Sequence, residues 1–251
     1  MKLIKGGCIA EMSKLEDKSV DMVLVDPPYG TTRCKWDTPL PLKDMWFQLK
    51  RITKPSSPIL IMSQTPFDKV VGSSNLKMLR YEWIWIKEQG TGNLNANKMP
   101  LKQHENILVF YQKLPLYKPQ FTKGKCYKPT ITKPGHLGRI YGKGKNNYKL
   151  INNSERRYPT SILHFSREFK NRYHPVQKPV ALMEYLIKTY TNEKDVVLDF
   201  TMGSATTAIA CLNTKRNFIG IELDENYFKI GKERVEKHIK ILRGEQMNFF
   251  S

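Results

Sequence analysis

Apolar positions along the chain follow two patterns, short continuous runs and longer stretches with helical spacing. Short runs closed by turn residues are typical of buried strands, and they predict strands over 20–25, 58–62, 81–86, 106–111, 195–199 and 217–222. Helical spacing predicts helices over 42–53, 179–190, 205–212 and 225–241. Strands that alternate with helices imply an α/β fold with a mostly parallel sheet and helices on both faces.

The segment 113–157 departs from this alternation and is strongly basic. It holds twelve Lys or Arg residues against one acid, Glu155, and so contributes +11 of the formal net charge of +19. A protein this basic usually acts on a polyanion, either a nucleic acid or an anionic membrane surface.

Composition excludes several other classes of protein. No run approaches eighteen consecutive apolar residues, so a membrane-spanning helix is not expected, and residues 1–12 lack the apolar stretch of a secretion signal. The four cysteines contain no C-x-x-C pair, so the sequence predicts neither a disulfide framework nor a zinc site, and no metal. We therefore expect a reduced, cytoplasmic compartment.

One candidate site follows the predicted strand 20–25 directly, at Asp26-Pro27-Pro28-Tyr29. Ligands of open parallel sheets bind outside the carboxyl ends of the strands. The Asp26 carboxylate and the Pro27 carbonyl can both accept hydrogen bonds from one exocyclic amine, and Tyr29 can stack on the ring that carries it. The alternative is an ordinary junction between a strand and a turn.

A second candidate site lies between the strand 195–199 and the helix 205–212. Its sequence over 199–207 is Asp-Phe-Thr-Met-Gly-Ser-Ala-Thr-Thr, in which Gly203 allows a ligand to approach the backbone closely. Glu222 ends the next strand, where an acidic side chain commonly holds ribose hydroxyls. The arrangement fits an adenosine-containing cofactor, whereas the absence of G-x-G-x-x-G and of a P-loop disfavours a dinucleotide and a nucleoside triphosphate.

Taken together and in this order, the motifs resemble the amino-methylating DNA methyltransferases. These enzymes use S-adenosylmethionine to methylate adenine N6 or cytosine N4, and the resemblance is to the permuted β-type branch, in which D-P-P-Y precedes the cofactor motif. The run 174–179, His-Pro-Val-Gln-Lys-Pro, is similar to the H-P-T-Q-K-P element of that branch. The matching motifs span residues 21–222, which is most of the chain.

The resemblance implies a fold and a domain organisation. The fold is a Rossmann-like, doubly wound sheet of the class I methyltransferase type with a small basic target-recognition lobe. Residues 1–112 would form the catalytic half of the methyltransferase domain, 113–158 the target-recognition region, and 159–251 the cofactor-binding half. A homodimer is common in this branch and is left open here.

Roles for individual residues also follow from the resemblance. The catalytic residues would be Asp26, Pro27, Pro28 and Tyr29. The cofactor-binding residues would be His174, Gln177, Lys178, Asp199, Phe200, Thr201, Gly203, Ser204, Thr206 and Glu222. Trp36, Phe67 and Trp85 are candidates to hold the flipped base, with core packing as the alternative for each. Ala205 replaces the second glycine of the usual G-S-G-T loop, and a helical φ at that position would accommodate it.

The implied reaction is site-specific methylation of a base in duplex DNA, by base flipping and direct displacement. Asp as the first residue of D-P-P-Y favours adenine N6, with cytosine N4 as the alternative. The basic segment lies where these enzymes recognise their target. The candidate DNA-binding residues are Lys123, Lys125, Arg139, Lys143, Lys145, Arg156 and Arg157. An RNA or protein-glutamine methyltransferase and a non-catalytic DNA-binding regulator are the rival interpretations.

Overall fold

The computed structural model describes residues 1–31, 34, 37–125, 155–167, 173 and 177–244. The chain forms two compact units, a larger one made of 1–118 and 161–251 and a smaller one made of 119–160. Of the predicted site residues, Trp36, Arg139, Lys143, Lys145 and His174 lie outside the described residues.

Ten strands are present in the described part of the chain. They are β1 (Lys2–Lys5), β2 (Met22–Val25), β3 (Ile59–Ser63), β4 (Leu79–Thr91), β5 (Lys102–Phe110), β6 (Thr122–Lys123), β7 (Arg156–Arg157), β8 (Ile162–His164), β9 (Val196–Asp199) and β10 (Asn217–Glu222). Eight of them form the sheet of the larger unit, in the order β1-β10-β9-β2-β3-β5-β4-β8. β5 is antiparallel to β3 and β4, and the other neighbouring pairs are parallel.

Helices cover both faces of this sheet. They are α1 (Cys8–Ser13), α2 (Leu42–Ile52), α3 (Phe67–Ser73), α4 (Val180–Tyr190), α5 (Thr206–Asn213) and α6 (Glu225–Leu242). Met22 and Leu24 pack into the core cluster that contains α4 and α5, whereas Val23 and Val25 pack into the cluster that contains α1, α2 and α3. Successive side chains of a strand point to opposite faces, so β2 is buried on both sides. The predicted α/β class and mostly parallel sheet are confirmed.

Four elements of the sheet unit, β1, α1, α3 and the three-residue edge strand β8, have no counterpart in the prediction. β1 is a partly exposed edge strand, and α1 buries only Met12, so neither carries a readable apolar period. α3 is seven residues long, too short for its spacing to stand out. β4 continues past the predicted 81–86 through a polar stretch, where its register with β5 shifts between Ile86 and Thr91.

The order of the strands reverses between β9 and β2. β9 leads through α5 to β10 on one side, and β2 leads through α2 to β3 on the other. Loops that leave such a point diverge and open a crevice at the carboxyl ends of the two strands. Both candidate sites from the sequence are therefore brought to one place.

The smaller unit contains a two-stranded antiparallel ribbon. Thr122 of β6 pairs with Arg157 of β7, and Lys123 pairs with Arg156. The rings of Phe121 and Tyr158 lie 4.9 Å apart, and the Arg156 guanidinium lies 5.7 Å from the centre of the Phe121 ring. No helix among the described residues has both the length and the apolar character needed to cross a membrane.

Candidate active site

A cavity of about 1090 Å³ opens at the carboxyl ends of β2 and β9. The motif Asp26–Tyr29 lines one part of it, and the loop from Asp199 to Ser204 lines another. Sites for small molecules typically enclose about 300–1,000 Å³, so this space exceeds what one small ligand needs. The cavity can therefore take a nucleoside-sized cofactor together with part of a second reactant.

The Asp26 carboxylate is held on both of its oxygens. The Tyr29 hydroxyl donates to Oδ1 at 2.6 Å, and the Lys178 ammonium donates to Oδ2 at 2.6 Å. The backbone carbonyl of Asp26 accepts a hydrogen bond of 3.1 Å from the Thr201 hydroxyl. The D-P-P-Y motif and the loop after β9 are thus in direct contact.

Asp37 fixes the turn that follows D-P-P-Y, and sequence reasoning missed it. Its buried carboxylate accepts hydrogen bonds from the backbone N–H groups of Tyr29, Gly30 and Thr31, at 2.7, 2.8 and 2.9 Å. Gly30 has a φ of +68°, a left-handed conformation that favours glycine. A lone Asp eight residues beyond a turn gives no pattern from which this role could have been read.

The Lys178 ammonium lies against the catalytic motif, between Asp26 and a second carboxylate. Glu105 Oε2 is 3.3 Å from Lys178 Nζ, and Glu105 Oε1 is 2.5 Å from Lys87 Nζ. Burial lowers the pKa of Lys178, but the charges of Asp26 and Glu105 outweigh it and leave that pKa raised. Burial raises the pKa of Glu105, but Lys178 and Lys87 outweigh it and leave that pKa lowered. Lys178 and Glu105 are therefore both charged.

Asp199 ends β9 as a buried carboxyl group. Burial raises its pKa to about 7, against hydrogen bonds from the Thr207 hydroxyl (2.7 Å) and the Thr201 backbone N–H (3.2 Å), which favour the charged form. Its side chain is only 4% exposed although the residue borders the cavity. Asp199 therefore holds the start of the loop that follows β9.

Glu222 ties the end of β10 to the same loop. Its carboxylate accepts hydrogen bonds of 2.8 Å from the backbone N–H groups of Gly203 and Asp224. Burial raises the pKa of this carboxyl group. Each oxygen of a carboxylate can accept more than one hydrogen bond, so Glu222 can also receive hydroxyl donors from a ligand.

The loop contains two left-handed residues, Gly203 at φ +49° and Ala205 at φ +61°. The sequence analysis accommodated Ala205 on the condition that its φ is helical. The structure does not meet this condition. Ala205 is the N-cap of α5, fully buried, and its strained conformation is imposed by the packing around it. Nothing lies within 4 Å of the position that a Cβ on Gly203 would occupy, so a ligand can reach the backbone there.

The other predicted cofactor residues surround the start of α5. The Ser204 hydroxyl lies 3.5 Å from Gln177 Oε1, and Phe200 borders the cavity while almost wholly buried. Arg234 of α6, which the sequence did not single out, donates to the Ser204 carbonyl at 2.9 Å and to the Thr206 hydroxyl at 3.0 Å. No sequence motif marks this arginine.

The aromatic candidates have different surroundings. The Phe67 ring stacks on Tyr29, with ring centres 5.1 Å apart and an angle of 24° between the planes. Trp85 is 1% exposed, borders the cavity, and donates its indole N–H to the Phe165 carbonyl at 2.8 Å. Phe67 therefore braces the D-P-P-Y tyrosine, and Trp85 forms part of the cavity wall.

Four predicted DNA-binding residues are described, and all four lie in the smaller unit. Lys123, Lys125 and Arg156 are exposed, and Arg157 is half-buried. Lys123 forms an ion pair of 3.2 Å with Glu155. Within the described ranges, no group of three or more His, Cys, Asp or Glu side chains could hold a metal ion.

The sheet order, the crevice between β9 and β2, and the acidic residues at the ends of β9 and β10 define a class I methyltransferase fold. A family model described as DNA methylase matches residues 20–233. The chain belongs to this family of N6/N4 amino-methylating DNA methyltransferases, whose cofactor is S-adenosylmethionine.

Two relatives and two solved structures illustrate the similarity. The chain is 30% identical to the type II methyltransferase M.HpaI of Haemophilus parainfluenzae, over 94% of this chain and 74% of the relative. It is 26% identical to the DNA adenine methyltransferase YhdJ of Escherichia coli K12, over 93% and 82%. The M1.HpyAVI–SAM complex has a TM-score of 0.62 at 23% identity, over 93% of this chain and 98% of the other. The cytosine-N4-specific PvuII DNA methyltransferase has a TM-score of 0.64 at 16% identity, over 99% and 95%.

Proposed function

We propose that this DNA methyltransferase methylates the N6 amine of adenine at a specific sequence in duplex DNA. The observation that carries the proposal is the contact between Thr201 and Asp26. It joins the acceptor group at the end of β2 to the glycine loop at the end of β9, at 3.1 Å between the hydroxyl and the Asp26 carbonyl. An acceptor for an amine thus stands next to a loop suited to an adenosine-containing cofactor.

The residues after β9 and β10 fit S-adenosylmethionine. The open space beside Gly203 admits a ligand to the backbone, and Glu222 keeps acceptor capacity for ribose hydroxyls. When bound, the cofactor supplies an electrophilic methyl group. Gln177, Ser204 and Thr206 would bind its polar groups, and Phe200 and Thr201 would shape the adjoining wall.

Asp26 and Pro27 would hold the target amine. The carboxylate and the Pro27 carbonyl accept its two hydrogens, which fixes the nitrogen in the cavity and draws its lone pair out of conjugation with the ring. Positioning of this kind supplies a large part of the rate. The negative charge of Asp26 stabilises the positive charge that develops on nitrogen, and Tyr29, backed by Phe67, offers a face for stacking. The base reaches the cavity by leaving the duplex.

Adenine is favoured over cytosine by the first residue of the catalytic motif. Enzymes of this kind that act on cytosine N4 more often carry Ser where this chain has Asp26. A relative with adenine in its name, YhdJ, agrees with this choice. Cytosine N4 is the second candidate, because the PvuII enzyme, which is cytosine-N4-specific, shares the fold.

The basic segment would bind the duplex. Its Lys and Arg residues can neutralise phosphates, and arginines such as Arg156 and Arg157 can contact guanine edges. A non-catalytic regulator could use the same charges, but it would need neither the Asp26 site nor the loop around Gly203. We expect the enzyme to act on DNA in the bacterial cytoplasm. A homodimer is a separate prediction, which light scattering would test.

The test is transfer of a tritiated methyl group from S-adenosylmethionine to duplex DNA, RNA and protein by the purified chain. We expect label in duplex DNA alone, and digestion to nucleosides should place it in N6-methyladenine. Label in N4-methylcytosine would move the assignment to the second candidate. Label in RNA or in protein would overturn the proposal. So would a calorimetry experiment in which S-adenosylmethionine gives no heat of binding.

A further inference from the structure

The catalytic carboxylate is the end of a buried row of alternating charges. The row runs from Asp26 through Lys178 and Glu105 to Lys87, with N–O separations of 2.6, 3.3 and 2.5 Å. Lys178, Glu105 and Lys87 have side chains only 7, 11 and 6% exposed, whereas the Asp26 side chain is 26% exposed. The one member that remains accessible is thus the one that faces the reactant.

We propose that Lys178, supported by Glu105 and Lys87, is a positioning residue that fixes the ionised Asp26 carboxylate for its contact with the target amine. This inference rests on the proposed function and reassigns Lys178 from the cofactor to the catalytic motif. Glu105 and Lys87 thereby acquire roles that the sequence did not give them.

Geometry supports a positioning role. Tyr29 holds Oδ1 and Lys178 holds Oδ2, so the plane of the carboxylate cannot rotate without loss of one of the two hydrogen bonds. Each oxygen still has a free lone pair to offer to an amine hydrogen. A carboxylate in this state accepts hydrogen bonds only, in a fixed direction.

The charge balance explains why a single lysine would not suffice. A buried ammonium beside Asp26 alone would cancel the negative charge that attracts the developing cation on nitrogen. Glu105 offsets that ammonium, and Lys87 in turn compensates Glu105, so the row is balanced in charge and ends at the accessible Asp26 carboxylate. Buried ion pairs contribute little net stability compared with apolar packing, so stability alone does not account for the row.

Position in the chain strengthens the argument. Lys178 lies 152 residues from Asp26 and just ahead of α4, in the half predicted to bind the cofactor. Glu105 and Lys87 come from the antiparallel neighbours β5 and β4. Three separate parts of the chain thus supply the members of the row behind Asp26, and Lys87 also lies 5.6 Å from the centre of the Trp85 ring.

The test compares three variants by single-turnover methyl transfer, cofactor calorimetry and thermal melting. Lys178→Met should slow methyl transfer at saturating cofactor by roughly 10²-fold, the size expected when a reacting group is misplaced by about 1 Å. The Kd for S-adenosylmethionine should change by less than about threefold. This variant leaves Asp26 and Glu105 with Lys87 as the one remaining cation of the row, so a lower Tm is also expected.

The triple variant Lys178→Met, Glu105→Gln and Lys87→Met separates positioning from folding. It removes all three buried charges of the row and leaves none of them without a partner, so it should regain most of the lost Tm but remain as slow as Lys178→Met. Lys188→Met is the control, since Lys188 forms only an exposed ion pair with Glu184 at 3.3 Å. It should match the wild type in all three measurements.

Two outcomes overturn the inference. One is a wild-type rate in the triple variant, and the other is a rise in cofactor Kd of more than tenfold for Lys178→Met with an unchanged rate at saturation. Failure of the proposed function is distinguished from both, because the wild type itself would then transfer no methyl group to DNA. The Tm loss in Lys178→Met and its recovery in the triple variant would still test the charge row.

Discussion

The Thr201 hydroxyl donates a hydrogen bond of 3.1 Å to the carbonyl oxygen of Asp26. This bond joins two loops that belong to distant parts of the sequence, one after β2 and one after β9, at the point where the order of the strands reverses. In the proposed function, it sets the distance between the group that accepts the amine and the loop that holds the cofactor. The consequences can be measured one residue at a time.

The replacement Thr201→Val should raise the activation free energy of methyl transfer by more than it lowers the free energy of unfolding. The variant keeps the shape of the side chain but loses the hydroxyl, and a hydrogen bond of this kind is worth about 1 kcal/mol. We expect a loss of roughly fivefold in the single-turnover rate. Thr214→Val is the matched control, because the Thr214 hydroxyl bonds only carbonyls of its own helix. Equal losses of rate in the two variants would contradict the role given to Thr201.

Gly231 of α6 supports the cofactor loop from behind. A Cβ at this position would lie 2.9 Å from the Gly203 carbonyl oxygen and 3.2 Å from the Ala205 Cβ. Gly231→Ala should therefore push the loop, destabilise the protein by about 1–3 kcal/mol and raise the Kd for S-adenosylmethionine in calorimetry. In the control Gly72→Ala, a Cβ would meet only side-chain atoms at 3.6 and 3.7 Å. Unchanged cofactor affinity in Gly231→Ala would show that the loop does not depend on this contact.

Asp199 makes stability depend on pH. Burial raises its pKa from an ordinary 3.8 to about 7 in the folded protein, against the hydrogen bonds of Thr207 and Thr201. Because the folded state binds the proton more tightly, this contribution to stability is complete below about pH 4 and is lost as the pH rises through about 7. Asp199→Asn removes the effect. The free energy of unfolding of Asp199→Asn, relative to wild type, should therefore increase between pH 5 and pH 8.

Urea unfolding at a series of pH values measures this difference. Asp44→Asn, at an exposed position in the first turn of α2, is the control and should give a difference that is constant with pH. A constant difference for Asp199→Asn as well would mean that Asp199 is ionised throughout the range.

The ribbon of the smaller unit offers a test of DNA binding. Lys123 has a side chain 83% exposed, in an ion pair with Glu155. If it contacts a phosphate, Lys123→Gln should weaken binding to all duplexes alike and reduce the slope of log K against log salt by about 0.9. Lys232→Gln, an exposed position on α6, is the control. An unchanged slope in Lys123→Gln would remove this residue from the interface.

The sequence predicts those parts of the fold and of the site that a few consecutive residues define. These are the buried run 20–25, the motif D-P-P-Y and the glycine loop, and the resemblance linked them in order. Asp37 and Gly231 act through contacts that only the folded chain creates, and a single Asp or Gly has no period. Lys178 was selected from the sequence as a cofactor-binding residue, and its hydrogen bond to Asp26, 152 residues away, is visible only in the folded chain.

Backbone conformation was equally inaccessible to sequence reasoning. The predicted helix 205–212 began at Ala205, and a helical φ was the condition for Ala in place of the usual glycine. The tight loop, with Met202 accepting a hydrogen bond from the Ala205 N–H at 2.8 Å, instead places it in the left-handed region. The surrounding packing overrides the local preference. For a related reason, the prediction ended strand β4 too early, at residue 86. The pairing of β4 with β5 continues beyond that point through polar residues.

The most direct test of the account is the nucleoside composition of DNA from cells that lack other methyltransferases and express this chain or its Asp26→Ala variant. Mass spectrometry should find N6-methyladenine with the wild type and none with Asp26→Ala. The variant should still bind S-adenosylmethionine in calorimetry, because Asp26 contacts the cofactor loop only through its backbone carbonyl. Wild-type levels of methyladenine with Asp26→Ala, or no modified base with the wild type, would contradict the account.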